Sequence, residues 1–319
     1  MELDKPFGIE MDYSSTLNYA MVLNGIPFIR KITLKNLTEK EIRNIRISVT
    51  FQESLAKDFH RTIDILSPGL EVDLGVIALE LNPEYLFHLT EALTTQMKIT
   101  ILADQIDTEV VGREVHVLAY KEWQGMDTMP EVLSAFVTPN HPSIDNILVE
   151  ASHILKESGK DPSFEGYQSG DLNRVREQVL AIYTALMNQK ITYIGPPASF
   201  VARGQRIRLS SEVLEKKLGT CLDLTLLFSS CLEAISLHPL IILIKGHSFL
   251  GYWQEEEFFQ DTVEYDVSSL TKRSAEGMSI IGVLETTDIR SGQEISFTQS
   301  EANAQYHLSH EEDFIMALD

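Results

Sequence analysis

Residues 219–235 read Gly219-Thr220-Cys221-Leu222-Asp223-Leu224-Thr225-Leu226-Leu227-Phe228-Ser229-Ser230-Cys231-Leu232-Glu233-Ala234-Ile235. A turn at Ser236-Leu237-His238-Pro239 and a strand at Leu240–Ile244 follow, and then Lys245-Gly246-His247-Ser248-Phe249-Leu250-Gly251-Tyr252-Trp253. Thr220 and Asp223 have capping-box spacing, which makes Thr220 the N-cap and Cys221 the first helical residue. A sulfur there meets unpaired backbone N–H groups and the positive end of the helix dipole, and both favour thiolate, the nucleophilic form. The dipole supplies only ~0.3–1 kcal/mol. Asp223 on the same turn opposes it, so a strong nucleophile needs a cationic partner. His247 fits. One helix, one turn and one strand fill the 26 residues from Cys221, so His247 starts a strand beside the helix's own beginning. An imidazolium there can pair with the thiolate.

An acid is needed to orient the imidazole. Strands at His247–Gln254 and Ser279–Thr286 flank a helix expected over Ser268–Glu276. Paired antiparallel about a connection near Asp266, they set Glu285 opposite His247 and Ser279 opposite Trp253. Opposed residues share a face, so Glu285 is the expected acid, with Asp266 or Asp261 as fallback. A slip of one residue would turn Glu285 away. The backbone N–H of Cys221 is one oxyanion donor, and Gln205 or Ser199 is a candidate for a second. Phe249 and Trp253 either line the cleft or pack in the core. Cys231, in line with Leu224, Leu227, Phe228 and Ile235, reads as a core thiol.

Upstream the pattern changes. Tyr19–Leu23, Phe28–Leu34, Ile42–Phe51, Arg61–Ile65, Leu70–Leu79 and Met97–Leu102 read as strands separated by turn residues such as Asn24-Gly25 and Ser67-Pro68-Gly69. About seven strands in ~115 residues predict a β-sandwich of immunoglobulin-like size over residues 1–120, a scaffold or docking module. Residues 121–190 read as a helical connecting segment packed on the next domain, with helices at Met129–Phe136, Pro142–Ser158 and Asp171–Lys190, the last capped by Asp171. Residues 191–319 form the core that carries the cysteine and an acidic C-terminal segment. The fold class is α+β.

The chain has 319 residues, 26 Lys+Arg against 47 Asp+Glu, and a net charge of −21. Such a chain lacks the cationic footprint that nucleic acid requires, so no direct nucleic-acid binding is expected. More than half the excess lies in Glu255 to Asp319, with 15 acidic and 3 basic residues, which reads as a solvated, repulsive surface. Two cysteines, ten residues apart in one helix, make neither a disulfide framework nor a metal knuckle. No signal-peptide start or membrane-length apolar run stands out, and a reducing cytoplasm fits. His307 and His310, at i,i+3 beside Glu311, Glu312 and Asp313, read as part of a solvated tail and not as a metal set. Ser269-Leu270-Thr271-Lys272 lacks the partner motifs of serine acyl enzymes. No cofactor is called for.

Val213-Leu214-Glu215-Lys216-Lys217-Leu218-Gly219-Thr220-Cys221-Leu222-Asp223-Leu224, followed by Gly246-His247-Ser248-Phe249, resembles the core of the bacterial transglutaminase-like superfamily. That resemblance implies a papain-like α+β fold, with cysteine on a helix N-terminus and histidine and an acid on successive strands. Glu285-Thr286-Thr287 is similar to the family's Asp-x-Thr, with glutamate in place of aspartate and a longer interval from His247. The wider order, including Phe136-Val137-Thr138-Pro139-Asn140-His141-Pro142 and Gly166-Tyr167-Gln168-Ser169-Gly170-Asp171, resembles the N-terminal region of large bacterial proteins that end in a superfamily-one-type helicase. By that likeness the chain reads as the front part of a longer protein or a split relative. A helicase-type partner and a role in defence against foreign DNA are then expectations. The expected activity is thiol-dependent acyl transfer on a protein or peptide substrate by Cys221, His247 and Glu285, with hydrolysis ahead of transglutaminase-type amine transfer. The alternative is a catalytically silent protein-interaction module. No membrane partner is expected.

Overall fold

The computed structural model describes residues 5–127, 129–197, 204–275 and 277–319. The chain is mixed α+β with several sheets. The chain divides into two units, Met1–Gln124 and Gly125–Asp319.

In the first unit, alternation of apolar and polar residues writes the strands. Ile45, Ile47 and Val49 are buried along Ile42–Phe51 while Arg43 and Arg46 are exposed. A three-stranded antiparallel sheet joins Phe7–Tyr13, Ile29–Asn36 and Glu71–Asp73. A five-stranded sheet runs in the order Thr16–Leu17, Ile106–Val117, Leu93–Ala103, Ile42–Phe51, Phe59–Leu66. Phe7, Ile32 and Leu34 of the first sheet and Ile47, Met97, Ile99 and Val115 of the second belong to one apolar cluster. Two expectations change here, and one strand is added. Tyr19–Leu23 is a short helix, because Asn18 Oδ1 accepts the Met21 N–H at 2.8 Å and so starts a turn. Of Leu70–Leu79 only Glu71–Asp73 is strand. Ile106–Val117 is a strand of 12 residues that carries charge on its exposed side.

In the second unit, helices Pro142–Glu157 and Leu172–Asn188 bury Ile147, Ala151, Val179 and Ile182 in one cluster with Leu224, Leu227, Phe228 and Cys231 of the helix Cys221–Glu233. Met129–Phe136 is not an α-helix; Pro130–Phe136 forms a 3-10 run. Every residue of the cysteine helix from Cys221 to Leu232 is buried, so it is a central element and not a surface one. It packs against a five-stranded antiparallel sheet ordered Val263–Glu264, Phe314–Leu318, Pro239–Ile244, His247–Trp253, Ile281–Leu284.

Both sheet faces are covered. Leu250, Tyr252 and Leu284 join the cysteine-helix cluster. Phe249, Trp253, Ile281 and Val283, of the other parity, pack with Leu270 of helix Val267–Ser274 and Ala304 and Leu308 of helix Phe297–Leu308. The acidic C-terminal segment is therefore no mere solvated surface: Phe314–Leu318 lies inside the sheet, with Met316, Ala317 and Leu318 buried. Among the described residues, no helix is long and apolar enough to cross a membrane.

Candidate functional site

The capping box forms as its spacing dictates. Asp223 N–H donates to Thr220 Oγ1 at 3.2 Å, and Thr220 N–H donates to Asp223 Oδ2 at 2.9 Å. Cys221 is consequently the first helical residue, and it is wholly buried. The charge that Asp223 brings to this turn is met by Arg208, whose backbone N–H donates to Oδ1 at 2.8 Å and whose Nη1 donates to Oδ2 at 3.1 Å. Burial dominates and holds the Asp223 carboxyl above its usual range, against the pull of Thr220 and Arg208. Gly219 is tightly packed: a Cβ there would stand 3.3 Å from Leu224 Cδ2, which would have to give way. Its strand Leu218–Gly219 runs parallel to Thr192–Tyr193, pairing Gly219 with Tyr193. That pairing brings Tyr193 into the neighbourhood of Cys221. Burial first, then Cys221, pushes the tyrosine up to about 12.

Across the sheet, Leu250 pairs with Leu284 and Trp253 with Ile281. The register differs from the expected one by two residues: Ile281, not Ser279, stands opposite Trp253, and the strand stops at Leu284. A two-residue shift preserves faces. Glu285 thus leaves the strand on the side of His247, and His247 Nε2 donates to Glu285 Oε2 at 2.7 Å. Glu285 Oε1 accepts the Thr287 N–H at 2.9 Å and the Thr287 hydroxyl at 2.7 Å.

His307, on helix Phe297–Leu308, brings its Nε2 to 3.2 Å from the same Oε2. His307 is therefore a member of the site and not part of a solvated tail, whereas His310 Nδ1 bonds locally to the Tyr306 carbonyl at 2.9 Å. Burial is the largest influence on Glu285 and pushes its carboxyl up. Hydrogen bonds from His247 and His307, the His247 charge and Thr287 outweigh it and hold the group well below the carboxylate range. For His247, burial is again largest and lowers the ring's pKa. The Cys221 and Glu285 hydrogen bonds, with their charges, overcome it and raise the ring to about 10. With Nε2 taken by Glu285, Nδ1 is the nitrogen left for the sulfur.

A cavity of about 400 Å³ opens on this group, lined by Tyr193, His247, Glu285, Thr287, Asp288, Arg290, Asn303, Tyr306 and His307. Neither Phe249 nor Trp253 lines it. Phe249 is core and stacks behind both imidazoles, 6.4 Å from the His247 ring and 5.7 Å from the His307 ring. Trp253 packs on Phe259 at 4.9 Å.

The fallback acids lie elsewhere. Asp266 caps the helix Val267–Ser274 through Ser268 N–H, and Asp261 is exposed; a carboxylate already fills the place at His247. Gln205 is buried, with Nε2 donating to Thr220 Oγ1 at 3.3 Å and Oε1 without a partner among the described residues. Ser199 lies outside the described residues. Cys231 is fully buried, and burial pushes its thiol far up. Tyr193 and His307 were assigned no role from sequence. The signal for Tyr193 is its place on a short strand that pairs with the residues just before Cys221. His307 has no local signal, since only the tertiary fold brings its helix to Glu285.

No family model and no curated protein matches this chain. Among solved structures, a mutant of Salmonella alpha-2-macroglobulin is similar over 72% of this chain and 14% of that one, at 14% identity and a TM-score of 0.26. A conjectured protease from Parabacteroides distasonis is similar over 84% and 67%, at 11% identity and a TM-score of 0.22. A family 76 glycoside hydrolase from a bovine Bacteroides thetaiotaomicron strain is similar over 83% and 59%, at 8% identity and a TM-score of 0.15. The chain thus spans 14% of the length of the macroglobulin. Likeness this low carries no weight for function.

Proposed function

We propose that the second unit, of papain-like, transglutaminase-like type, is a thiol acyl-transfer domain that hydrolyses a peptide or isopeptide bond. The first unit we take as its β-sandwich docking module. The observation that supports this is the pair at His247: Glu285 Oε2 hydrogen-bonds to the imidazole at 2.7 Å, and the neighbouring Cys221 sulfur acts with it to raise the ring's pKa. In the proposed cycle the thiol proton passes to the ring and the sulfur attacks the substrate carbonyl. The developing oxyanion lies near the Cys221 backbone N–H, at the helix N-terminus. The imidazolium then protonates the leaving amine, and water, deprotonated by the same ring, releases the acid from the thioester. Glu285, fixed by Thr287, keeps the ring oriented throughout.

A second reading is supported by one observation. Cys221 is wholly buried, which favours a silent protein-interaction module, with a helicase-type partner in view. The test is iodoacetamide alkylation with peptide mass mapping of the wild type, His247→Ala and Glu285→Gln at one neutral pH. The acyl-transfer assignment requires Cys221 to be labelled roughly tenfold faster in wild type than in His247→Ala. Equal, slow labelling of Cys221 in all three proteins would discard it in favour of the silent module.

A further inference from the structure

We propose that His247, Glu285 and His307 form a binding site for a divalent transition-metal ion of the Zn2+ type, one that silences the thiol while the ion is bound. Two imidazoles and one carboxylate are a donor set that suits such an ion. Their ligand atoms, one from each residue, all lie within 4.8 Å of one another. Two of the separations, 2.7 Å and 3.2 Å to Glu285 Oε2, are already inside the ~3.3–3.5 Å edge that a tetrahedral ion at ~2.0–2.2 Å from each donor imposes.

The surroundings hold the donors in place. Thr287 occupies Glu285 Oε1 with two hydrogen bonds, which leaves Oε2 as the end of the carboxylate that faces the two imidazoles. Phe249 stacks behind both rings, whose centroids are 5.1 Å apart. Ser300, one helix face with His307, bonds to the backbone of Glu285 and fixes the helix against it. The fourth coordination position faces the cavity, where water or a substrate group fits. Coordination replaces the His247–Glu285 hydrogen bond and the His307–Glu285 ion-pair contact by metal–nitrogen bonds. His307 moves its hydrogen to Nδ1, and His247 gives one proton to solvent.

Silencing follows from shared atoms. The ion takes His247 Nε2 and Glu285 Oε2, the two atoms that orient the ring, so metal binding and thiol chemistry exclude each other. This half of the proposal rests on the acyl-transfer assignment; the binding half does not.

Binding is therefore measured first in the full chain carrying Cys221→Ser, where no thiol chemistry exists. The probe is Zn2+ competing against a chromophoric chelator, with Co2+ absorption as a check on geometry. One ion per chain is expected, and affinity lower by roughly tenfold or more in added His307→Ala or Glu285→Gln. His307→Asp, which keeps a ligand, should restore much of the loss, and it serves where the alanine variant fails to fold. No bound ion in Cys221→Ser, or binding indifferent to every His307 substitution, would overturn the site. In wild type, saturating Zn2+ should slow Cys221 alkylation, and His307→Ala should remove that protection. Zn2+ bound without slowing a reactive Cys221 overturns the silencing. Zn2+ bound beside a Cys221 that is inert even without metal sinks the acyl-transfer assignment and leaves the metal site standing.

Discussion

Glu285 and Ser300 hold each other twice: Ser300 Oγ donates to the Glu285 carbonyl at 3.0 Å, and the Glu285 N–H donates to the Ser300 carbonyl at 3.2 Å. The pair is buried and ties the helix that carries His307 to the turn that carries the carboxylate. Ser300→Ala removes the side-chain half and should cost about 1–2 kcal/mol in urea unfolding. A loss below ~0.5 kcal/mol would mean that packing alone docks this helix.

The pairing of Arg208 with Asp223 carries a larger consequence. Asp223 is completely buried, and Arg208 supplies its positive partner. Arg208→Ala strands a buried carboxylate and should destabilise by roughly 3 kcal/mol. Asp223→Asn made in that background should cost much less than it does alone, because the charge is already stranded. Additive losses in chemical denaturation would show the two residues to be independent.

Gly282 has no room for a side chain. A Cβ there would stand 2.2 Å from Cζ of Tyr252, which is fully buried. Gly282→Ala should therefore lose about 3 kcal/mol, and much less once Tyr252→Leu has opened the space. Thermal midpoints of the two single variants and the double variant decide it; an unperturbed Gly282→Ala protein refutes the close approach.

The two cysteines should part company in one experiment. Burial raises the Cys231 thiol, so its labelling ought to appear only as the protein unfolds in denaturant. Glu285→Gln keeps an oxygen for Thr287 but removes the charge facing His247, and Cys221 labelling should slow by roughly tenfold. Rates within about twofold of wild type would leave Glu285 no role in setting the sulfur's reactivity.

Local chemistry made parts of this legible in the sequence. The Thr220–Asp223 spacing marks a helix start because the capping box is a four-residue device, and Cys221 falls on its first turn as a result. The shared side of His247 and Glu285 follows from strand alternation, and it survives a register error of two because faces repeat every second residue. Tyr19–Leu23 misleads because its aromatic and β-branched content suits a strand, while the decisive hydrogen bond comes from Asn18. His307 is illegible for the opposite reason: its helix is ordinary in sequence, and 21 residues of chain intervene between it and the carboxylate it meets. Composition also misjudged the acidic end, because Phe314-Ile315-Met316-Ala317-Leu318 is a strand whose neighbours in the sheet are far away in the chain.

That inserted strand sets an order of events during synthesis. Ile241 pairs with Leu318, and Phe314–Leu318 separates Pro239–Ile244 from Val263–Glu264. Nearly a hundred residues must follow Cys221 before the sheet beneath it can close. At ordinary rates of chain elongation that is an interval of ~5–20 s. During it His247 and Glu285 are made in turn, while the sheet that carries them still lacks the strand Phe314–Leu318. The sheet of this unit therefore closes only after Phe314–Leu318 is made, however early the helix that begins at Cys221 forms.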